Sequence, residues 1–257
     1  AWSLPGYTPG QFPEMGLFEL PLLFDSSLEA ATVGWQLYDA GLLTGFDGVR
    51  LIGFFSTAPN GLFMRGTIDT PLALDGLKIR ALGAIHSDWL NTLGAAAQTM
   101  SGVDMNQALD REIVDGGIQG WSGMRTFGSF PLVDQAWDIP VGTTPFLLLI
   151  NEQSWQRQPT SVQRAMLKHG GLGVARSSGQ AYAAINQQIR ASLAEAGQPA
   201  LMAPDESSQQ ALVDRSQALH DMWMAGSIDR ETTYRAAQTF LGRLRAETST
   251  ASAGSAP

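Results

Sequence analysis

Asp75-Gly76-Leu77-Lys78-Ile79-Arg80 opens a stretch that runs through Leu93-Gly94-Ala95 and Met105-Asn106-Gln107-Ala108-Leu109. It closes on Val114-Asp115-Gly116-Gly117-Ile118-Gln119-Gly120-Trp121. Leu77 and Ile79 alternate with Lys78 and Arg80, the period of a short strand, and Gly76 marks the turn before it. Ile85, Trp89, Leu90 and Leu93 have helical spacing, and Gly94 sits where a helix stops. A short strand follows. Ala108, Leu109 and Ile113 again repeat as on a helix, which Gly116-Gly117 ends. The stretch therefore reads strand, helix, short strand, helix, strand. Alternation of this kind builds an α/β sheet whose ligand crevice lies at the strand ends.

Size and charge narrow what surrounds this unit. The 257 residues suffice for one large domain or two small ones, and a hydrophobic content of 44% supports a sizeable core. A net charge of −8 argues against nucleic acid as a partner, because phosphate binding needs clustered Lys and Arg. It does not forbid a small anion, since one buried arginine decides that locally. The chain has no cysteine, so disulfides and cysteine metal sites are excluded, which fits an oxidising compartment. No run is long or apolar enough to insert into a membrane, and Phe146-Leu147-Leu148-Leu149-Ile150 is only strand length. No signal-peptide pattern is visible, and the chain opens at Ala1-Trp2-Ser3 already in mid-pattern.

Upstream of the central stretch, residues 1 to 24 are rich in Gly, Pro and aromatics and read as loop. Tyr7 there is either an apolar loop anchor or part of a cleft wall. Asp25 or Ser26 caps a helix, with Glu29 close behind, that runs to about Ala40 with Val33, Leu37 and Tyr38 inward. Residues 49 to 55 alternate as a strand, Pro59-Asn60-Gly61 is a turn, and Leu62 to Arg65 is a second strand. Downstream of Trp121 a helix and loop lead to strands at 133–138 and 146–150. Thr160 and Gln163 form a capping-box pattern at the start of a long helix carrying Ile185, Ile189 and Leu193, with Gly170-Gly171 near its middle and Gly197 at its end. Leu201-Met202 is a short strand, residues 205 to 225 and 229 to 245 are helices, and the Ser/Ala/Gly/Pro tail 248–257 reads as disordered.

Arg80 carries the most informative chemistry. Its guanidinium fork matches a carboxylate bidentately, and a hydrogen bond to a charged group contributes roughly 1.5–3 kcal/mol. By spacing alone it reads first as a strand residue in a surface salt bridge. Gln119 and Trp121 follow a strand end, where an amide reads hydroxyl or keto groups and an indole walls a pocket or fills the core. Arg125 reads as a surface residue near the same rim. His86, His169 and His220 lack metal-ligand spacing, and no nucleophile elbow or phosphate loop is present. Asp104, Asp110, Glu112 and Asp115 cluster in sequence. An acid pair could serve a carboxylate-using hydrolase, but helical spacing scatters these four over a solvated face, with Asp115 structural at its turn.

The ordered set Gly-Leu-Lys-Ile-Arg, Leu-Gly-Ala, Ala-Leu and Val-Asp-Gly resembles the solute-binding proteins of tripartite ATP-independent periplasmic (TRAP) transporters, over residues 1 to about 245. The resemblance implies a periplasmic-binding-protein type of α/β fold, with two α/β lobes joined by crossing strands and a long helix. The expected divisions are 1–75 as the remainder of an N-terminal lobe with the first crossing, and 76–145 as the second lobe. Residues 146–247 would supply return strands and helices packing across both, and 248–257 a disordered tail. Family members carry further α/β units before the point where Ala1 aligns, so N-terminal units are expected to be missing. The implied function is a periplasmic receptor, not an enzyme and without cofactor or metal, that captures a small organic acid and delivers it to TRAP membrane permease subunits. A non-transport sensor or truncated relic of the same fold is the alternative. Arg80 would clamp the carboxylate, with Gln119, Trp121 and Tyr7 around the ligand. Two departures stand out. Ser56-Thr57-Ala58-Pro59-Asn60 lacks the second arginine of well-known members, and Gly102 stands where some place an aromatic ring.

Overall fold

The computed structural model describes residues 1–8 and 10–253, the last four by backbone alone. The chain opens with β1 (Trp2–Ser3) and 3-10 turns at Pro5–Tyr7 and Pro13–Glu19, so 1–24 is more than the loop its composition suggests. Leu17, Phe18 and Leu20 are fully buried there. Helix α1 (Ser27–Asp39) starts as its residues predict. The Ser26 hydroxyl accepts the Glu29 N–H at 3.2 Å, and the Glu29 carboxylate accepts the Asp25 N–H at 2.8 Å. Removing this cap in Ser26→Ala is expected to cost about 1 kcal/mol. Urea denaturation should show a lower midpoint and an unchanged slope.

Strands β2 (Val49–Ser56) and β3 (Gly61–Met64) follow. The central stretch then folds as β4 (Lys78–Ala81), α2 (Ala84–Thr92), β5 (Ala96–Thr99), α3 (Gly102–Asp110) and β6 (Gly116–Gln119), the alternation read from its spacing. Ile113, expected on the α3 stripe, lies beyond the helix and is exposed. After α4 (Trp121–Thr126) come β7 (Gln135–Trp137), β8 (Pro145–Asn151), α5 (Glu152–Gln156), α6 (Thr160–His169) and α7 (Gly171–Ala196). The chain ends with β9 (Ala200–Met202), α8 (Glu206–Met224) and α9 (Ile228–Ala253).

The strands form two sheets. A six-stranded sheet has the order β5-β4-β6-β3-β7-β9, with β4 parallel to β5 and β6 and β3 antiparallel to its neighbours. A three-stranded antiparallel sheet has the order β1-β8-β2. β3, from the 1–75 range, and β9, from the 146–247 range, both join the six-stranded sheet. The cause is that the chain crosses between lobes at residues 57–60 and 138–144. These two segments bond to each other: Thr57 N–H to Thr144 O (3.0 Å), Asn60 N–H to Gly142 O (2.8 Å) and Val141 N–H to Asn60 O (3.0 Å). The fold is thus two α/β lobes joined by crossing segments. Helix α7 bridges them, packing on α1 and β2 at one end and on α4 and β9 at the other.

Three local readings differ from the structure. The predicted capping box at Thr160 is absent. Pro159 precedes the helix, and the Gln163 amide donates instead to Trp155 O at 2.9 Å. The single long helix breaks at Gly170. Gly170 lies against β2 at its irregularity between Leu51 and Gly53, and a Cβ at Gly170 would stand 2.1 Å from Ile52 O. Helix α9 continues as far as Ala253, with Thr248 Oγ1 donating to Leu244 O at 3.1 Å, where the sequence reads as a disordered tail from residue 248. Residues 254–257 of that expectation lie outside the described residues.

Candidate ligand site at the lobe junction

Strand β4 lies inside its sheet, between β5 and β6. Lys78 at its start reaches solvent, whereas Arg80, deeper along the same strand, is 0% exposed. Three carbonyl oxygens hold the guanidinium. Nε donates to Met100 O at 3.0 Å, and Nη1 donates to Ile118 O at 2.6 Å and to Gln119 Oε1 at 2.8 Å. Nη2 is buried and, among the described residues, makes no hydrogen bond of ordinary geometry, although the Tyr7 phenol lies beside the guanidinium. Burial lowers the Arg80 pKa to about 10, against the favourable influence of the Tyr7 phenol and the Glu19 carboxylate, so the group stays cationic at neutral pH.

Gln119 stands between Arg80 and a cavity of ≈ 460 Å³ at the junction of the lobes. Its oxygen is committed to Arg80, which leaves the amide N–H donors beside Gly102 and Gly123. A Cβ at either glycine would stand 2.7 or 3.0 Å from Gln119 Nε2. Tyr7 faces the same cavity, 46% exposed, its hydroxyl accepting the Gly102 N–H at 3.2 Å. Ser122 and Arg125 also line the cavity, as does Ser101, whose hydroxyl donates to Asp104. The opposite wall is aromatic: the Trp2 and Phe146 rings lie 5.8 Å apart, Phe55 stacks behind Phe146 at 4.9 Å, and Tyr182 follows. Phe127 adds a ring beside Gly102.

The structure therefore brings Arg80, Gln119 and Tyr7 together, Arg80 being covered by the other two. It does not bring in Trp121. That indole is 1% exposed in the core, edge-on to Phe63 at 5.1 Å and beneath the Arg190 guanidinium at 4.6 Å. Helix α4 starts at this residue and turns it inward against the sheet, the core alternative left open by the sequence. Arg125, read as a surface residue, is exposed but lines the cavity rim, while Thr57 stands in the segment without a second arginine.

Glu19 escaped the sequence reading. It is 4% exposed, and burial raises its carboxyl to about 7 while the Arg80 charge pulls it down. The available signal was a carboxylate inside the apolar run Leu17-Phe18-Glu19-Leu20. His86 is fully buried with Nε2 3.0 Å from Val141 O. Burial, then the Arg80 charge, pushes its pKa down to about 3, so it is neutral. The sequence cluster of acids does not converge. Asp104 accepts the Ser101 hydroxyl, Glu112 pairs with Arg65 at 2.7 Å, and Asp115 accepts the Lys78 N–H. Among the described residues, no three His, Asp or Glu side chains group as metal ligands.

Comparison with known proteins bears on the family and the fold. The family model described as bacterial extracellular solute-binding protein, family 7, matches residues 1–226. Among solved structures, a TRAP solute-binding protein from Rhodoferax ferrireducens T118, in complex with copurified benzoate, superposes with a TM-score of 0.87. It shares 20% identity, over 94% of this chain and 78% of that one. A marine metagenome TRAP solute-binding protein from an unidentified microbe, specific for aromatic acid ligands, gives a TM-score of 0.86 at 22% identity, over 94% and 78% of the two chains, in complex with 3-hydroxybenzoate. A TRAP periplasmic solute-binding protein from Bordetella bronchiseptica with bound (R)- and (S)-mandelate gives 0.84 at 20% identity, over 95% and 80%.

Proposed function

Because the chain belongs to family 7 of the bacterial extracellular solute-binding proteins, we propose that it is a periplasmic receptor for a small aromatic carboxylate, which it delivers to a TRAP membrane permease. The observation that carries this reading is the two-ended cavity. A buried arginine and oriented N–H donors stand at one end and stacked rings at the other. The carboxylate would enter between Tyr7 and Gln119. There it would accept the Gln119 amide and, once the phenol moves aside, the free Nη2 of Arg80. The ligand ring would lie against Phe146 and Tyr182, where aromatic pairs add about 0.5–1.5 kcal/mol beyond burial. Arg125 at the rim would steer an anion into a chain of net charge −8.

In this reading the lobes close over the ligand about the crossing segments, and the closed state is what the permease recognises. The role is binding without turnover. Among the described residues no helix is long and apolar enough to cross a membrane, so the permease would supply the membrane path. Thermal-shift titration with benzoate, 3-hydroxybenzoate and mandelate, with succinate as the non-aromatic control, tests it. A ligand at a hundredfold excess over Kd should raise stability by about 2.7 kcal/mol. A shift with succinate alone would remove the aromatic assignment. Shifts with none of the four would remove the ligand class.

A further inference from the structure

Tyr182 brings to the aromatic end of the cavity a hydroxyl that the binding scheme leaves unused. The residue lies half-buried on the bridging helix α7 and lines the cavity. Its ring runs nearly parallel to that of Phe55, with 13° between the planes and 6.5 Å between centroids, and Phe55 stacks in turn on Phe146 at 4.9 Å. Among the described residues its hydroxyl makes no hydrogen bond. The other hydroxyls of the cavity are committed or stand elsewhere. Thr57 Oγ1 accepts the Thr144 N–H at 3.0 Å, Thr144 Oγ1 donates to Asn60 Oδ1 at 3.3 Å, and Ser101 and Tyr7 are bonded to Asp104 and Gly102. Ser122 and Thr126 belong to α4, on the Gln119 side. We propose that Tyr182 is a specificity-determining residue: its phenol hydrogen-bonds a polar substituent para to the carboxylate on the ligand ring, so that the receptor prefers 4-hydroxylated aromatic acids to unsubstituted ones.

The para placement follows from the chain that joins the two ends of the cavity. Thr57 borders the donor end, since a Cβ at Gly120, next to Gln119, would stand 3.6 Å from its Cγ2. Phe55, the ring beside Tyr182, precedes Thr57 by two residues. The segment is extended there, with Phe55 opposite Phe146 and the Thr57 N–H bonded to Thr144 O, so both side chains share one face. Two residues of strand span about 6.6–6.8 Å, the reach of a benzene ring carrying groups at opposite positions. A carboxylate held at Gln119 therefore sets the far substituent of its ring near Tyr182. Burial pushes the ionisation of this phenol upward, so it keeps its hydrogen at neutral pH and can both donate and accept. An unsubstituted ring would displace water from the hydroxyl and give it no partner in return. A site that pairs a ligand hydroxyl disfavours the analogue lacking it for this reason.

This inference rests on the cavity receiving an aromatic carboxylate, and the experiment separates the two. Benzoate, 4-hydroxybenzoate, 3-hydroxybenzoate and 4-methylbenzoate are titrated calorimetrically at neutral pH into the wild-type chain and Tyr182→Phe. Phenylalanine keeps the ring and removes only the hydroxyl. The readout is the ratio of dissociation constants within each chain, which a merely structural role of the ring would leave unmoved. Wild type should bind 4-hydroxybenzoate at least about fivefold more tightly than benzoate, the effect of one net hydrogen bond. The methyl compound, similar in size but without a donor, should show no such gain. In Tyr182→Phe the advantage of 4-hydroxybenzoate should shrink to less than about twofold. An equal advantage in both chains, or none in wild type, would overturn the proposal while benzoate binding left the aromatic-acid reading intact. An advantage confined to 3-hydroxybenzoate and lost in Tyr182→Phe would overturn the para placement. Failure of all four acids to bind would remove the aromatic-acid reading and this inference with it.

Discussion

Arg80→Met should lower stability by about 3–5 kcal/mol, the usual cost of removing one member of a buried charged set, and abolish benzoate-induced stabilisation. The side chain is fully buried and satisfies Met100 O, Ile118 O and Gln119 Oε1. Methionine fills most of the volume but donates nothing. Each oxygen left unsatisfied costs about 1–3 kcal/mol unless water reaches it. The loss also has a predicted pH dependence. Glu19 in the folded chain already sits above its ordinary range, at about 7, and loses in the variant the one nearby charge that pulls it down. A carboxyl whose folded pKa is raised contributes stability that is complete below the unfolded value, near 4.5, and is lost as pH rises through the folded value. The variant should therefore be nearest to wild type at pH 5 and furthest from it above pH 8. Urea denaturation at both values measures the difference. A penalty independent of pH would mean that Glu19 and Arg80 do not share a field, and a penalty under about 1 kcal/mol would mean that water reaches the carbonyls.

Arg80 also shows what could and could not be read in the sequence. The strand, its turn at Gly76 and the helices that follow are local properties, set by alternation, spacing and glycine at φ +71°. They were legible and correct. The burial of Arg80 was not, because alternation places it on the face of Lys78, which is exposed. Only the depth of the strand end beneath the crossing segments separates the two residues. Resemblance, not periodicity, singled Arg80 out. Trp121 shows the converse. A position next to a cleft residue is no guide to the cleft when a helix begins there and turns the side chain inward. The aromatic wall was illegible for another reason. Trp2, Phe146 and Tyr182 lie far apart in the chain and meet only because β1 pairs with β8 and α7 packs across β2. The break at Gly170 belongs to the same class, since the backbone it lies against, at Ile52, is more than a hundred residues upstream.

Gly142→Ala should cost about 2–5 kcal/mol and disturb acid binding, although the residue does not line the cavity. Its φ is +62°, a region that costs an L-residue about 1–2 kcal/mol. An added Cβ would also stand 2.3 Å from the backbone oxygen of Glu19, which has no flexible end to move away. Forced repacking of this kind adds about 1–3 kcal/mol. The site lies where three backbones lock together. Leu22 N–H donates to Pro140 O at 2.9 Å, Thr143 N–H donates to Phe18 O at 2.7 Å, and Asn60 N–H donates to Gly142 O at 2.8 Å. Shifting Gly142 thus shifts Glu19 and the crossing on which the lobes would turn. Gly128→Ala is the matched control. It has φ +68° with nothing within 4 Å of the added carbon, so it bears the conformational cost alone. The difference between the two variants in denaturant midpoint isolates the close approach. Equal losses would show that the crossing tolerates the extra carbon. A larger loss at Gly142, accompanied by weaker benzoate binding, would show that the backbone junction holds the buried charges in the geometry that the ligand needs.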